Sequence, residues 1–117
     1  RVLIGRALMA KPEVLILDEP CAGLDPVARE HFLQFLNHLA RQHAAPALVL
    51  VTHHVEEVMP AFTHAMLLKE GIVSSKGKLK ETLTSRNLSA SFCNTVKLTQ
   101  LRGRYSLSVK PDREKLM

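Results

Sequence analysis

Two short runs of apolar residues, each leading into polar residues, dominate the first half of the chain. Val-Leu-Ile-Leu at 14–17 leads into Asp18 and Glu19, and Ala-Leu-Val-Leu-Val at 47–51 leads into Thr52 and His53. Continuous aliphatic runs of this length are typical of parallel strands that are covered on both faces. The pattern therefore predicts two buried strands with polar side chains at their carboxyl ends, where open α/β sheets bind ligands.

Between these strands the apolar spacing changes to that of a helix. Asp25 followed by Pro26 is typical of a helix start, because Asp is a favoured N-cap and proline fits the first turn. Apolar residues then recur at helical spacing and predict one buried face, made of Phe32, Leu33, Phe35, Leu36 and Leu39. The order strand, helix, strand predicts a right-handed βαβ unit.

Beyond residue 60 the pattern becomes one of hairpins and short helices. Strand-like residues at 64–69 and 72–76 flank Glu70 and Gly71, which predicts a hairpin with a two-residue turn. Residues 95–101 and 105–109 alternate around Arg-Gly-Arg at 102–104 and predict a second hairpin. We also expect short helices over 55–59, 78–83 and 87–92.

The adjacent carboxylates at the end of the first strand are candidates for chemistry. Successive strand residues point to opposite faces, so Asp18 and Glu19 can divide their roles. A hard cation such as Mg²⁺ prefers carboxylate and water oxygens, and nucleotide hydrolysis needs a metal holder and a positioned water. Asp18 suits the first role and Glu19 the second. For a bare pair of acids, however, a solvated turn is the more common interpretation.

The ordered series of motifs resembles the C-terminal portion of the ATPase domain of ATP-binding cassette (ABC) transporters, in the P-loop NTPase superfamily. Leu-Asp-Glu-Pro at 17–20 resembles the Walker B motif, Ala-Gly-Leu-Asp at 22–25 the D-loop, and Thr52 with His53 the switch histidine. Residues 1–8 resemble the helix that follows the family's signature loop. The sequence departs from common family residues at Gly5, Cys21 and His54, and none of these positions has an assigned role.

The resemblance implies a role for each motif. Asp18 would hold Mg²⁺, and Glu19 would be the catalytic base that orients the attacking water. His53 would contact the γ-phosphate of ATP, so it counts as both catalytic and nucleotide-binding. Asp25 would lie at the dimer interface and touch the partner's nucleotide site, so it also counts as nucleotide-binding. The implied fold is α/β, a P-loop NTPase-like three-layer α/β/α arrangement with a parallel sheet, followed by C-terminal β-hairpins.

Other parts of that domain are missing from the sequence. No G-x-x-x-x-G-K-[ST] loop occurs, although its backbone N–H groups and lysine cradle the phosphates. The signature loop and the glutamine loop are absent as well. Because the chain opens at Arg1 without Met, inside a predicted helix, we expect it to be part of a longer protein, with unfilled sheet faces and little activity alone. We assign 1–93 to the ATPase domain and 94–117 to a hairpin and variable tail.

The resemblance also implies partners: a second ATPase domain, in a homodimer or heterodimer, and a transmembrane permease. The protein would then be cytoplasmic and peripheral to the membrane, and its ATP hydrolysis would power transport. Two cysteines and no long apolar run agree with an intracellular setting.

An alternative is a soluble ABC-type ATPase that acts on nucleic acid or ribosomes. Residues 1–60 carry a net charge of −2 and residues 61–117 a net charge of +7. We interpret the basic half as a solvated face and expect no direct nucleic-acid binding, because aromatic residues, at 4%, are too few for base stacking. A nonfunctional remnant is a third possibility, which the sequence upstream of Arg1 would decide.

Overall fold

The computed structural model describes residues 12–111 of the chain. The helix expected at 1–8 and the end of the tail lie outside the described residues. The chain divides into two compact units, with the division between Ala61 and Phe62. The boundary that we expect at 93/94 concerns domain assignment and stays a prediction.

A parallel pair of strands forms the sheet of the first unit. β1 spans Val14–Asp18 and β2 spans Ala47–Val51. They pair in register, with Val14 opposite Ala47 and Asp18 opposite Val51. Both carboxyl ends therefore meet at one edge of the sheet, as the βαβ prediction requires.

Helix α1 connects these strands and spans Pro26–Ala40. Its start is the predicted one, since the Asp25 side chain accepts a hydrogen bond from the Ala28 N–H at 2.8 Å and proline occupies the first turn. The predicted apolar face is buried at Phe32, Leu33 and Leu36. Phe35 is exposed, so that face is narrower than the spacing suggested.

Within residues 12–111, only one face of β1 is covered. Leu15 and Leu17 are buried, whereas Val14 and Ile16 are 53% and 65% exposed. The expectation of a strand covered on both faces is therefore wrong for this chain, and the expectation of unfilled faces is met. In the described part of this unit, the other buried apolar side chains follow β1, line α1 or come after β2: Cys21, Phe32, Leu33, Leu36, Val55 and Met59.

The second unit contains two antiparallel hairpins. Strands β3 (His64–Lys69) and β4 (Ile72–Lys78) form the first, with a register irregularity between Leu67 and Leu68. Strands β5 (Val96–Leu101) and β6 (Arg104–Val109) form the second.

Both hairpin turns contain two residues with positive φ, at Glu70-Gly71 and at Arg102-Gly103. Paired positive φ values match the type I′ turn that suits the strand twist. The second turn is one residue shorter than expected, because Arg104 already belongs to β6.

Two short helices lie between the hairpins, α2 (Leu79–Thr82) and α3 (Ser85–Phe92). The hydroxyls of Ser85 and Ser89 accept hydrogen bonds from the N–H groups of Leu98 and Val96, at 2.9 and 3.1 Å. Helix α3 thereby satisfies backbone donors of β5 that would otherwise lack partners. Within residues 12–111, no helix has the length and apolar character needed to cross a membrane.

Candidate functional site

The candidate site lies at the carboxyl edge of the β1–β2 pair. The ladder extends one residue past β1, since the Glu19 N–H donates to the carbonyl oxygen of Val51 at 2.8 Å. Glu19 then turns away from the strand direction with φ of 47°, in the left-handed region. Such a conformation is uncommon for a residue with a side chain and is favoured where the surroundings enforce it.

Glu19 and His53 meet at this edge. His53 Nε2 lies 3.4 Å from Glu19 Oε1, and the two side chains are 84% and 32% exposed. At this length the contact is longer than a typical hydrogen bond. Oε1 is itself buried, and no donor in the described part of the chain meets hydrogen-bond geometry with it. The carboxylate oxygen thus retains capacity to accept a hydrogen bond.

Asp18 is exposed at the same edge, opposite Val51 in register. Across residues 12–111, no group of three or more His, Cys, Asp or Glu side chains is arranged to hold a metal ion. Mg²⁺ in nucleotide sites commonly takes one or two carboxylates, with waters and phosphates as its other ligands. A single exposed aspartate at the end of a strand fits such an ion, whereas a protein-enclosed metal such as structural zinc needs more protein ligands.

The loop between β1 and α1 contains the other predicted residue, Asp25. Hydrogen bonds from the Ala22 and Leu24 N–H groups to the Glu19 and Cys21 carbonyl oxygens fold this loop into turns, at 3.2 and 3.1 Å. Gly23 in this loop has φ of +81°, a backbone conformation that is strained for residues with a side chain. The carboxylate of Asp25 caps α1, so the structure gives it a structural role.

The sequence interpretation missed a polar cluster beneath the site. Glu57, at the end of a 3₁₀ turn over Val55–Glu57, is 2% exposed. Its Oε1 accepts from the Thr52 hydroxyl at 2.8 Å, and its Oε2 lies 3.2 Å from Arg29 Nε. The available signal was a glutamate among apolar residues just after the second strand. Sequence alone did not indicate which of Glu56 and Glu57 is buried.

Cys21 lies close enough to this cluster to be affected by its charges. Burial raises the pKa of the Cys21 thiol, and the negative charges of Glu57 and Glu19 add to that effect, while Arg29 opposes it. A thiol that stays protonated is a poor nucleophile and a poor metal ligand. Cys21 is therefore a buried apolar residue of this unit; both cysteines, Cys21 and Cys93, are free thiols.

Comparison with known families gives a match over residues 3–59, to the family described as "AAA domain, putative AbiEii toxin, Type IV TA system". Individual proteins match over more of the chain. An "Uncharacterized ABC transporter ATP-binding protein YlmA" of Bacillus subtilis is 53% identical over 92 residues, covering 79% of this chain and 35% of that protein. A similarly described Lactococcus lactis protein, YmeB, is 38% identical over 104 residues, covering 89% of this chain and 40% of that protein.

A relative with a stated cargo is also similar. "Molybdenum import ATP-binding protein ModC" of Vibrio cholerae is 37% identical over 86 residues, covering 74% of this chain and 23% of that protein. Among solved structures, "An inward-facing conformation of a putative metal-chelate type ABC transporter" matches with a TM-score of 0.76 and 25% identity. That match covers 99% of this chain and 46% of the solved chain. The chain thus spans 35–40% of the length of the first two curated relatives.

Proposed function

Since this chain belongs to the ATP-binding proteins of ABC transporters, we propose that the intact protein hydrolyses ATP to power transport across a membrane. The P-loop NTPase-like α/β fold expected from the sequence agrees with the solved ABC transporter that the chain resembles. The observation that carries the proposal is the approach of His53 Nε2 to Glu19 Oε1, 3.4 Å apart, at the edge where both parallel strands end.

Glu19 is the proposed catalytic base. Its side chain is 32% exposed, so the carboxylate can accept a hydrogen bond from a water molecule at this edge, while its buried oxygen, Oε1, faces His53. A base must lie within hydrogen-bond reach of the proton that it removes, and a strand tip offers that access. The fixed backbone of Glu19, bonded to Val51, keeps the carboxylate at the edge of the sheet.

His53 is the proposed contact to the terminal phosphate, and it orients Glu19. Its ring is 84% exposed, so it is accessible to a ligand while one nitrogen faces the carboxylate. Asp18 is the residue that would hold Mg²⁺. When bound, that ion would neutralise phosphate charge.

Further partners follow from the same proposal. Asp25 would lie at an interface with a second ATPase domain, as a homodimer or heterodimer, and a permease would supply the membrane channel. The protein would then be cytoplasmic, attached to the membrane through that permease. Residues 1–93 would belong to the ATPase domain, and 94–117 would form its closing hairpin and tail.

The test uses the intact ATPase that carries this chain. Replacing Glu19→Gln keeps the size of the side chain and removes its basicity, so phosphate release should fall by about 100- to 10,000-fold. ATP affinity, measured by equilibrium binding, should stay within a few-fold, because the charge is needed mainly when the bond breaks.

Glu13→Gln is the matched control, since Glu13 is an exposed glutamate that immediately precedes β1. It should hydrolyse ATP at the normal rate. Normal turnover in Glu19→Gln would remove Glu19 from the mechanism.

A further inference from the structure

A buried carboxylate lies next to the loop that bears His53, and the reaction does not use it directly. Among residues 12–111, Glu57 is the one buried charged residue. At 2% exposure it has no access to a nucleotide or to attacking water. Burying a carboxylate is costly unless its oxygens are paired, so its contacts require an explanation.

Both oxygens of Glu57 are engaged. Oε1 accepts from the Thr52 hydroxyl at 2.8 Å, and the same hydroxyl oxygen accepts from the His54 N–H at 3.1 Å. Thr52 and His54 flank His53 in the chain. The backbone on either side of His53 is therefore held through one hydroxyl, which Glu57 in turn orients.

The other oxygen connects the loop to α1. Oε2 of Glu57 forms an ion pair with Arg29, 3.2 Å from its Nε, without the geometry of a hydrogen bond. The N–H of Arg29 donates to the carbonyl oxygen of Asp25 at 2.9 Å, in the first turn of the helix. A continuous set of contacts thus links the loop bearing His53 to the start of the helix that Asp25 caps.

We propose that Glu57 is a positioning residue, which holds the loop bearing His53 against the start of α1 through Thr52 and Arg29. This inference rests on the proposed function of His53. These contacts hold the imidazole ring of His53 next to Glu19. They also connect the loop bearing His53 to the loop over residues 20–25. Buried ionic groups are weak contributors to stability compared with apolar residues, which favours a positional role for this one.

The test removes the hydrogen bond from Thr52 and leaves the ion pair between Glu57 and Arg29 in place. Thr52→Val replaces a hydroxyl by a methyl group of similar size and leaves Glu57 opposite Arg29. In the intact ATPase, kcat should fall by about 10- to 100-fold, since small displacements of a catalytic group have effects of that size. KM for ATP should change less than about 3-fold, as expected when transition-state contacts are lost rather than ground-state binding. The loss of kcat in His53→Ala is the largest that displacement of the His53 ring can cause.

Thr52→Ser restores the hydroxyl and should recover most of the kcat. The matched control is Thr63→Val, because Thr63 is an exposed threonine that also precedes a histidine and contacts its ring, at 2.9 Å. That variant should behave as the unmodified protein does. Glu57→Gln keeps an acceptor for Thr52 and loses the charge facing Arg29, so its kcat should lie between those of Thr52→Ser and Thr52→Val.

A second measurement follows His53 itself. The ring resonances of His53, observed with labelled histidine, should shift in Thr52→Val and in Glu57→Gln but not in Thr63→Val. This readout does not depend on hydrolysis, so it stays informative if Glu19→Gln proves fully active and the proposed function fails. Unchanged His53 resonances in both cluster variants would overturn the positioning role. The role would also be overturned if Thr52→Val lowered both kcat and the melting temperature and Thr52→Ser restored neither. The cluster would then be needed only for folding.

Discussion

Glu19 combines a left-handed backbone with a functional side chain at a strand end. Its φ of 47° costs roughly 1–3 kcal/mol for a non-glycine residue. The hydrogen bond to Val51 and the turn that follows hold this conformation. The chain leaves the strand direction at the residue whose carboxylate approaches His53.

The thiols of Cys21 and Cys93 should react at very different rates. Burial and the neighbouring carboxylates raise the pKa of Cys21 above its usual value of 9.0, whereas Cys93 is exposed. At pH 8, iodoacetamide should therefore label Cys93 and leave Cys21 largely unmodified, as measured by peptide mass spectrometry. In urea both should label at similar rates.

The same shift has a consequence for stability. The folded protein holds the proton of the Cys21 thiol more tightly than the unfolded chain does. The contribution of this thiol to the free energy of unfolding is therefore fully present below pH 9.0 and is lost as the pH rises through the raised pKa. In chemical denaturation at increasing pH, Cys21→Ala should reduce the loss of unfolding free energy above pH 9.0, and Cys93→Ala should not. Rapid labelling of Cys21 at pH 8 would contradict its assignment as a buried, protonated thiol.

At the scale of elements, helix α1 begins with both a capping side chain and a proline in its first turn. Asp25 is in an extended conformation, its side chain accepts the Ala28 N–H, and Pro26 has no N–H to satisfy. These features are local, which is why the sequence predicted the first residue of the helix correctly.

Loss of the cap should be measurable apart from any interface role. Asp25→Ala should lower the free energy of unfolding by about 0.5–2 kcal/mol in chemical denaturation, because one N–H at the helix start loses its acceptor. Asp25→Ser should keep most of the stability, since a hydroxyl also caps. If Asp25→Ser is stable yet impairs hydrolysis, the carboxylate acts beyond the cap; if Asp25→Ala is as stable as the unmodified protein, the observed hydrogen bond contributes nothing.

For the whole molecule, chemistry and charge are unevenly distributed. Every predicted site residue lies in the first unit, while residues 61–117 carry a net charge of +7. The sequence contains no loop of the kind that cradles phosphates with backbone N–H groups and a lysine. Electrostatic attraction to the basic half alone would be weak and sensitive to salt.

This chain by itself should therefore show no tight nucleotide site. A titration with a fluorescent ATP analogue and Mg²⁺ at physiological ionic strength should give no saturation in the micromolar range. The intact ATPase is the positive control. Micromolar, salt-resistant binding by the isolated chain would mean that its own residues supply a phosphate site that the sequence does not reveal.

The sequence by itself determined the elements of this protein. The strands at 14–18 and 47–51, the helix start at Asp25 and the two-residue turn at Glu70-Gly71 follow from local signals. Apolar spacing, caps and turn residues act over a few positions, so they can be recognised without knowing the fold. The motif order also predicted that Glu19 and His53 would end neighbouring strands.

Only the tertiary structure decided which side chains are buried and paired. The contact of Glu57 with Arg29 joins residues far apart in the chain, and nothing local distinguishes Glu57 from its exposed or partly exposed neighbours. The same holds for β1, whose apolar residues are alike in sequence but lie on one covered and one uncovered face. Burial depends on what packs against a residue, and distant parts of the chain supply that packing.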